Sequence, residues 1–245
     1  MIFILLPAYN EKPNLIKILK KIKTLKKKKN YKLTVVIVDD GSSDEIDKIL
    51  IKSKKKNIIY KRHKKNLGLH KALDTGFKYV LSKAKKEDII VTLDSDNTHP
   101  IENLPLLINC IKKGADVAIA SRFVVGSKIV GLKTHRIILS YIAAKMFKIF
   151  FSINNVTDYT CGYRAYKCKI IIQCYRYYKN FISEKSFSCV ADILLKINKI
   201  NKKIFFQEVP LRLKYNLKIG DSKMKVFITI IRTLMLIIKR KFFEF

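Results

Sequence analysis

The sequence predicts an α/β domain built on a mostly parallel central sheet flanked by helices, and three observations predict it. Short apolar runs alternate with segments of helical length through the first half of the chain. The runs are apolar at nearly every position instead of every second one, as in strands buried on both faces. Three of them end abruptly in polar, turn-forming segments that carry acidic residues.

The first strand is "IFILL" (2–6), followed by "PAYNEKPN", in which Pro13 suits the first turn of a helix. The second is "LTVVIV" (33–38), which runs into "DDGSSDE". There Gly41 favours a tight turn and Ser43 or Asp44 is available to cap the next helix. "NIIY" (57–60) is the third strand, and "NLGLHKALDTGF" (66–77) a helix whose Gly68, Ala72 and Gly76 share one face at intervals of four. His70 in that helix is expected to be polar scaffolding. "DIIVTL" (88–93) is the fourth strand, leading into "DSDNTHP" with Pro100 near a helix start, and "DVAIA" (116–120) is the fifth.

Parallel strands bring their carboxyl ends to one edge, where ligands of open α/β sheets bind. Three acid-bearing loops are therefore expected to converge there. The absence of an internal repeat or a Gly/Ser linker predicts one domain over 1–212, followed by a loop and a basic amphipathic tail over 213–245.

Lys and Arg number 51 against 19 Asp and Glu, a formal charge of +32. Only eight of the 51 are arginine, the side chain best shaped for directed base or phosphate contacts. Solvated helix faces explain most of the lysines, and an anionic membrane surface is the favoured partner for the rest. A nucleic-acid-binding protein would leave the three acidic loops unexplained, so no nucleic acid is expected as partner. Five cysteines without a C-x-x-C pair argue against a disulfide framework or zinc site and for a reducing compartment. The start, "MIFILLPAYNE", is too short in apolar residues for a secretory leader.

Two stretches mix bulky apolar residues with lysine or arginine at helical intervals: "HRIILSYIAAKMFKIFF" (135–151) and the segment from Lys223. "VFITIIRTLMLII" (226–238) is interrupted by Arg232 and shorter than the roughly 20 residues of a spanning helix. Both stretches fit either core burial or an interfacial helix, and peripheral attachment to the cytosolic face of a membrane is expected.

Asp94 and Asp96, one residue apart after a buried strand, can turn toward one ion. Hard carboxylate oxygens suit Mg²⁺ or Mn²⁺, which complete their shells with water and substrate phosphates. Asp39 and Asp40 stand after the second strand, where a carboxylate could accept from a ribose or base, and Tyr9 and Glu11 lie at the same edge. Arg122, Arg136 and Arg164 all lie in the second half, where the acceptor is expected to sit, and are candidate substrate-binding residues; a surface salt bridge is the alternative for Arg164. Asp158 could buttress Arg164 or the metal loop, or serve as a base.

The pieces "PAYNEKPNL", "VIVDDGSSD", "NLGLHKALDTGF", "LDSDNTHP", "SRF", "DYTCGYRAYK" and "EVPLR" followed by "GDSKM" resemble, in this order, glycosyltransferase family 2. They look most like its dolichol- or polyprenyl-phosphate mannosyl- and glucosyltransferases, over about residues 2 to 225. The resemblance implies a GT-A (Rossmann-like) fold, a GDP- or UDP-hexose donor, and Mg²⁺ or Mn²⁺ held by Asp94 and Asp96. It places Pro7, Tyr9, Glu11, Asp39 and Asp40 around the nucleoside and assigns Arg122 and Arg136 to the phosphate of a polyprenyl or dolichyl acceptor. Ser222 and Lys223 would lie on a loop closing over that acceptor. This chain has Thr98 where some close relatives carry an amide near the metal. The alternative acceptor, a hydroxyl of a cell-surface glycan or glycolipid, would need Asp158 or a neighbour as general base.

Overall fold

The computed structural model describes residues 1–52, 57–220 and 226–243. The five expected strands form: β1 (Ile2–Ala8), β2 (Leu33–Asp39), β3 (Ile58–Arg62), β4 (Ile89–Thr92) and β5 (Val117–Ser121). Helices α1 (Lys12–Lys29), α2 (Ile46–Lys52) and α3 (Leu69–Leu81) connect the first four, and α4 (Leu104–Lys112) enters β5. Pro13 lies in the first turn of α1, where its missing N–H is no loss. A 3₁₀ turn at Ile101–Asn103 follows Pro100, and Pro105 occupies the first turn of α4.

The second half adds β6 (Lys128–Val130), α5 (Thr134–Phe151), β7 (Arg164–Lys167), α6 (Cys168–Tyr177) and α7 (Ser188–Ile200). It continues through β8 (Phe206–Pro210), β9 (Arg212–Lys214), a 3₁₀ turn at Tyr215–Leu217 and α8 (Val226–Phe242). The expected division after residue 212 falls inside β9.

The main sheet has seven strands in the order β3-β2-β1-β4-β7-β5-β8. All its neighbours run parallel except β7, which lies antiparallel between β4 and β5. A separate parallel pair, β6 with β9, sits over the carboxyl end.

Period-two alternation divides the buried residues between two cores. Phe3 and Leu5 of β1 face α3, α6 and α7 through Leu73, Phe77, Ile171 and Leu194, with Phe147 of α5 and Leu236 and Ile237 of α8 in the same cluster. Ile2, Ile4 and Leu6 face α1 and α4 through Leu15, Ile18, Leu104 and Ile108. The small face of α3 has a specific purpose: a Cβ on Gly76 would come within 2.1 Å of Leu5 Cδ1, so the glycine lets the helix press against β1. Lysines 26 to 29 crowd the last turn of α1, where cations meet the negative end of the helix dipole, and Asn30 closes it in the left-handed conformation at φ 49°.

Candidate active site

The carboxyl ends of β1, β2 and β4 share one edge because the three strands are mutually parallel and adjacent. Asp39, the last residue of β2, is fully buried and accepts from Ser42 N (2.8 Å) and from the Tyr60 hydroxyl. It is spent on the turn, and only its neighbour reaches the cavity. Asp40 accepts from Leu67 N (2.9 Å), Gly68 N (2.7 Å) and His63 Nδ1 (2.7 Å), and so shapes the 66–68 wall. The other ring nitrogen of His63, Nε2, is hydrogen-bonded to Thr75 Oγ1 at 2.9 Å. Asp44 caps α1 as well as α2, since its carboxylate accepts from Lys12 N at 2.7 Å and Ile46 N at 3.4 Å.

Pro7, Tyr9 and Glu11 line the same cavity, with Glu11 buried and accepting from Asn14 Nδ2 at 2.6 Å. The cavity encloses about 440 Å³. Asp94 and Asp96 form its acidic floor, beyond β4. The Asp94 carboxylate makes no hydrogen bond to the described residues, and 38% of its side-chain surface stays open to the cleft. His99 Nε2 is 3.9 Å from it, while His99 Nδ1 accepts from Asp94 N at 3.2 Å and the ring stacks on Tyr163. Desolvation pushes the Asp94 carboxyl up, and the neighbouring Asp96 and Glu11 charges add to that.

Asp96 goes the other way. Burial alone would raise it, but Lys218, His99 and the Thr98 hydroxyl outweigh that and hold it below the usual carboxylate value. Lys218 Nζ lies 2.9 Å from Asp96 Oδ2, and Thr98 Oγ1 donates to Oδ1 at 2.7 Å. Among the described residues no third His, Cys, Asp or Glu joins them in a metal-binding cluster. Two adjacent carboxylates, one without a hydrogen-bond partner, nevertheless match the demand of Mg²⁺ or Mn²⁺ for one or two carboxylates plus water and phosphate oxygens.

Opposite the acids stand two arginines. Arg122 lies just past β5 and is clamped by Asp158: Nε donates to Oδ2 at 2.7 Å, Nη2 to Oδ1 at 2.6 Å and the backbone N to Oδ2 at 3.0 Å. Asp158 is fully buried, and its backbone N donates to Glu208 Oε1 at 2.7 Å. Burial opposes its ionisation, but the Arg122 guanidinium overcomes this and holds the carboxyl below its ordinary value. Asp158 therefore buttresses Arg122, not Arg164 or the metal loop. Arg136, in the first turn of α5, places its guanidinium 5.4 Å from the centre of the Tyr215 ring. Both arginines line the cavity.

Arg164 does not. It is fully buried and donates to the carbonyls of Val190 (2.7 Å) and Tyr159 (2.7 Å), so it is neither at the cavity wall nor in a surface salt bridge. Ser222 and Lys223 lie outside the described residues. Sequence reasoning missed His99, Tyr215 and Lys218, although His99 stands in the quoted "DSDNTHP". Lys218 carried no local signal among so many lysines.

From this polar floor the cavity continues between α5 and α8, lined by Leu139, Ala143, Met146, Ile230 and Leu234. Outside it, Ile138, Tyr141 and Ile149 of α5 and Phe227, Ile231, Met235 and Ile238 of α8 are exposed. Among the described residues no helix is long and apolar enough to cross a membrane.

The family description that matches, over residues 3–174, is Glycosyl transferase family 2. The chain belongs to this family. Among family 2 relatives, the dolichol-phosphate mannosyltransferase of Pyrococcus furiosus is 30% identical over 224 residues, covering 91% of this chain and 58% of its own length. The undecaprenyl-phosphate mannosyltransferase of Micrococcus luteus is 28% identical over 224 residues, with coverage of 90% and 86%. The present chain thus spans less than two thirds of the Pyrococcus protein. The crystal structure of glucosyl-3-phosphoglycerate synthase from Mycobacterium tuberculosis, in complex with Mn²⁺ and UDP-glucose, superposes with a TM-score of 0.66 at 15% identity, covering 98% of this chain and 79% of that one. That likeness shows the GT-A fold expected from the motifs.

Proposed function

We propose that the chain is an inverting hexosyltransferase that moves mannose or glucose from a GDP- or UDP-sugar to a polyprenyl or dolichyl phosphate. The observation that carries the reading is the continuity of one cavity: an acid pair, then two arginines, then an apolar cleft between α5 and α8. A nucleoside diphosphate, a phosphate monoester and an isoprenoid chain match these three zones in turn. The relatives named as mannosyltransferases of dolichol and undecaprenyl phosphate support the same acceptor class.

In the proposed reaction an oxygen of the acceptor phosphate forms a bond to the anomeric carbon while the bond from that carbon to the donor diphosphate breaks on the opposite face. Asp94 and Asp96 would hold Mg²⁺ or Mn²⁺, whose chemistry here is to neutralise charge gathering on the departing diphosphate. Pro7, Tyr9, Glu11 and Asp40 border the nucleoside space, with Asp39 supporting their turn. Arg122, pre-oriented by Asp158, and Arg136 would hold the acceptor phosphate, a task suited to guanidinium donors.

A phosphate acceptor is already ionised near neutral pH and needs no base. The engagement of Asp158 with Arg122 supports this over a hydroxyl acceptor, for which Asp158 was the candidate base. The exposed apolar residues of α5 and α8, with Lys145, Lys148, Arg232 and Lys239 on the same helices, support peripheral attachment at the cytosolic face of a membrane.

The test is incorporation of radiolabel from GDP- and UDP-hexoses into short polyprenyl phosphates, with Mg²⁺ or Mn²⁺, counted in the organic phase. Metal-dependent labelling lost in Asp94→Asn supports the proposal. Donor turnover without lipid labelling moves the acceptor to a hydroxyl, and indifference to every donor overturns the enzyme reading.

A further inference from the structure

The geometry points to Lys218 as a built-in counter-cation, a side chain that occupies Asp96 before a divalent ion does and must leave when the ion arrives. The inference rests on the metal-site reading above and extends it. Lys218 Nζ and Asp96 Oδ2 are 2.9 Å apart, with only 9% and 14% of the two side chains exposed. An ammonium this close fills the space in which a cation bound to the same oxygen would sit, so ion and lysine exclude one another.

The lysine is aimed by its backbone. Asn14, fully buried on α1, grips the next residue from both sides: Ile219 N donates to Asn14 Oδ1 at 3.1 Å and Asn14 Nδ2 donates to Ile219 O at 3.0 Å. On the other side Asn97 Nδ2 donates to Leu217 O at 3.3 Å. Asn97 belongs to the acid loop itself, between Asp96 and Thr98, in the left-handed conformation at φ 64°. Lys214 N also donates to Thr98 O at 3.0 Å. The 214–219 segment is therefore stitched to the loop that would hold the metal, and moving Lys218 off Asp96 works against those bonds.

Two consequences follow from the charges. Before a ligand enters, Lys218 offsets the repulsion between two carboxylates placed one residue apart in a secluded cleft. When a divalent ion enters alone, the freed ammonium keeps, among the described carboxylates, only the attraction of Glu11 and of Asp94, the latter shared with the ion, and it repels the ion. When the ion enters with a diphosphate, the freed ammonium has that anion in the same cavity. Lys218 thus makes the site select the metal–diphosphate pair over the bare metal.

The experiment is a titration with Mn²⁺ followed by electron paramagnetic resonance, without nucleotide and with UDP or GDP, on the full chain and on Lys218→Met and Lys218→Arg. The wild type should bind Mn²⁺ alone weakly and gain strongly from nucleoside diphosphate. Lys218→Met should bind Mn²⁺ alone about tenfold more tightly and show a smaller gain from nucleotide, whereas Lys218→Arg should keep the wild-type pattern. Hydrogen exchange adds a readout that nearby charge alone would not move: saturating Mn²⁺ without nucleotide should accelerate exchange of the Ile219 amide. Equal Mn²⁺ affinity in Lys218→Met and wild type, or an Ile219 amide indifferent to bound Mn²⁺, overturns the inference while leaving the metal site standing. Absence of Mn²⁺ binding in all three proteins, with or without nucleotide, overturns both.

Discussion

Arg122 and Asp158 form a two-point ion pair beside the cavity, reinforced by a bond from the Arg122 backbone N to the same carboxylate. The pair fixes the guanidinium plane at the cost of burying a carboxylate completely. Removing one partner of such a pair leaves the other charge buried without compensation, which typically costs about 3–5 kcal/mol. Arg122→Ala is therefore expected to lose both acceptor use and stability, the latter seen as a lower urea midpoint. Arg136 is half-buried in the first turn of α5, whereas Arg122 is clamped on the fully buried Asp158, so Arg136→Ala should lose acceptor affinity with a smaller drop in its urea midpoint than Arg122→Ala.

The same pair gives the stability a pH dependence of known sign. The folded Asp158 carboxyl lies below its ordinary value of 3.8, so the stability it contributes is fully present above that pH and drains away as pH falls through the lower folded value. In Asp158→Asn this contribution is absent at every pH. Chemical denaturation between pH 6 and about 2.5 should show a shallower acid decline for the variant, and a decline as steep as wild type would assign acid sensitivity to other groups.

Asp94 and Asp96 are adjacent in space yet should respond differently to loss of charge. The Asp94 side chain makes no hydrogen bond to the described residues, so Asp94→Asn should stay within about 0.5 kcal/mol of wild type. Its transfer rate should nonetheless fall about 100-fold or more, the scale for removing a stabiliser of developing charge. Asp96→Asn should lose activity and also about 1–3 kcal/mol of stability, because it strands the ammonium of Lys218. Paired activity and melting measurements separate the two.

The contrast between local and distant contacts explains what could be read from the chain. β1 to β5 were legible because each carries a short cluster of consecutive apolar residues, and the acid pair because its two members lie one residue apart in sequence. β7 was not: "RAYK" places a cation in a strand, and its burial depends on the carbonyls of Tyr159 and Val190, which no periodicity reveals. Asp158 was legible as a candidate supporter of Arg164 or the metal loop, or as a base, but its partner Arg122, 36 residues away, was not. Lys218 meets Asp96 across 122 residues and is one of many lysines, so only the fold distinguishes it.

A buried charge network decides whether α8 stays docked. Asp192 on α7 accepts from Arg240 Nε (2.6 Å) and Nη2 (3.0 Å), and Lys196 Nζ lies 3.3 Å away. Lys196 also donates to the carbonyls of Asn180 and Phe181, and burial lowers its affinity for the proton. Asp192→Ala leaves Arg240 and Lys196 with only Glu184, 3.6 Å from Arg240, as a nearby carboxylate among the described residues, and should cost about 3 kcal/mol. Limited proteolysis should then cut within α8 first, and uniform cutting throughout the chain would show that the network supports the whole domain instead.

The exposed face of α8 provides the sharpest test of membrane attachment. Phe227, Ile231 and Met235 recur every four residues and are 75%, 42% and 62% exposed, so they form one stripe directed away from the core. Arg240, by contrast, is buried in the Asp192 network and anchors the helix end. An interfacial helix gains about 1.5–3 kcal/mol from each large apolar side chain it buries in lipid. Replacing Phe227 and Met235 by Asp together should therefore weaken flotation with anionic vesicles at least tenfold while leaving the melting temperature unchanged, because neither side chain packs in the core. Undiminished flotation of the double variant would shift the contact to the lysine faces, and salt would then release the protein completely.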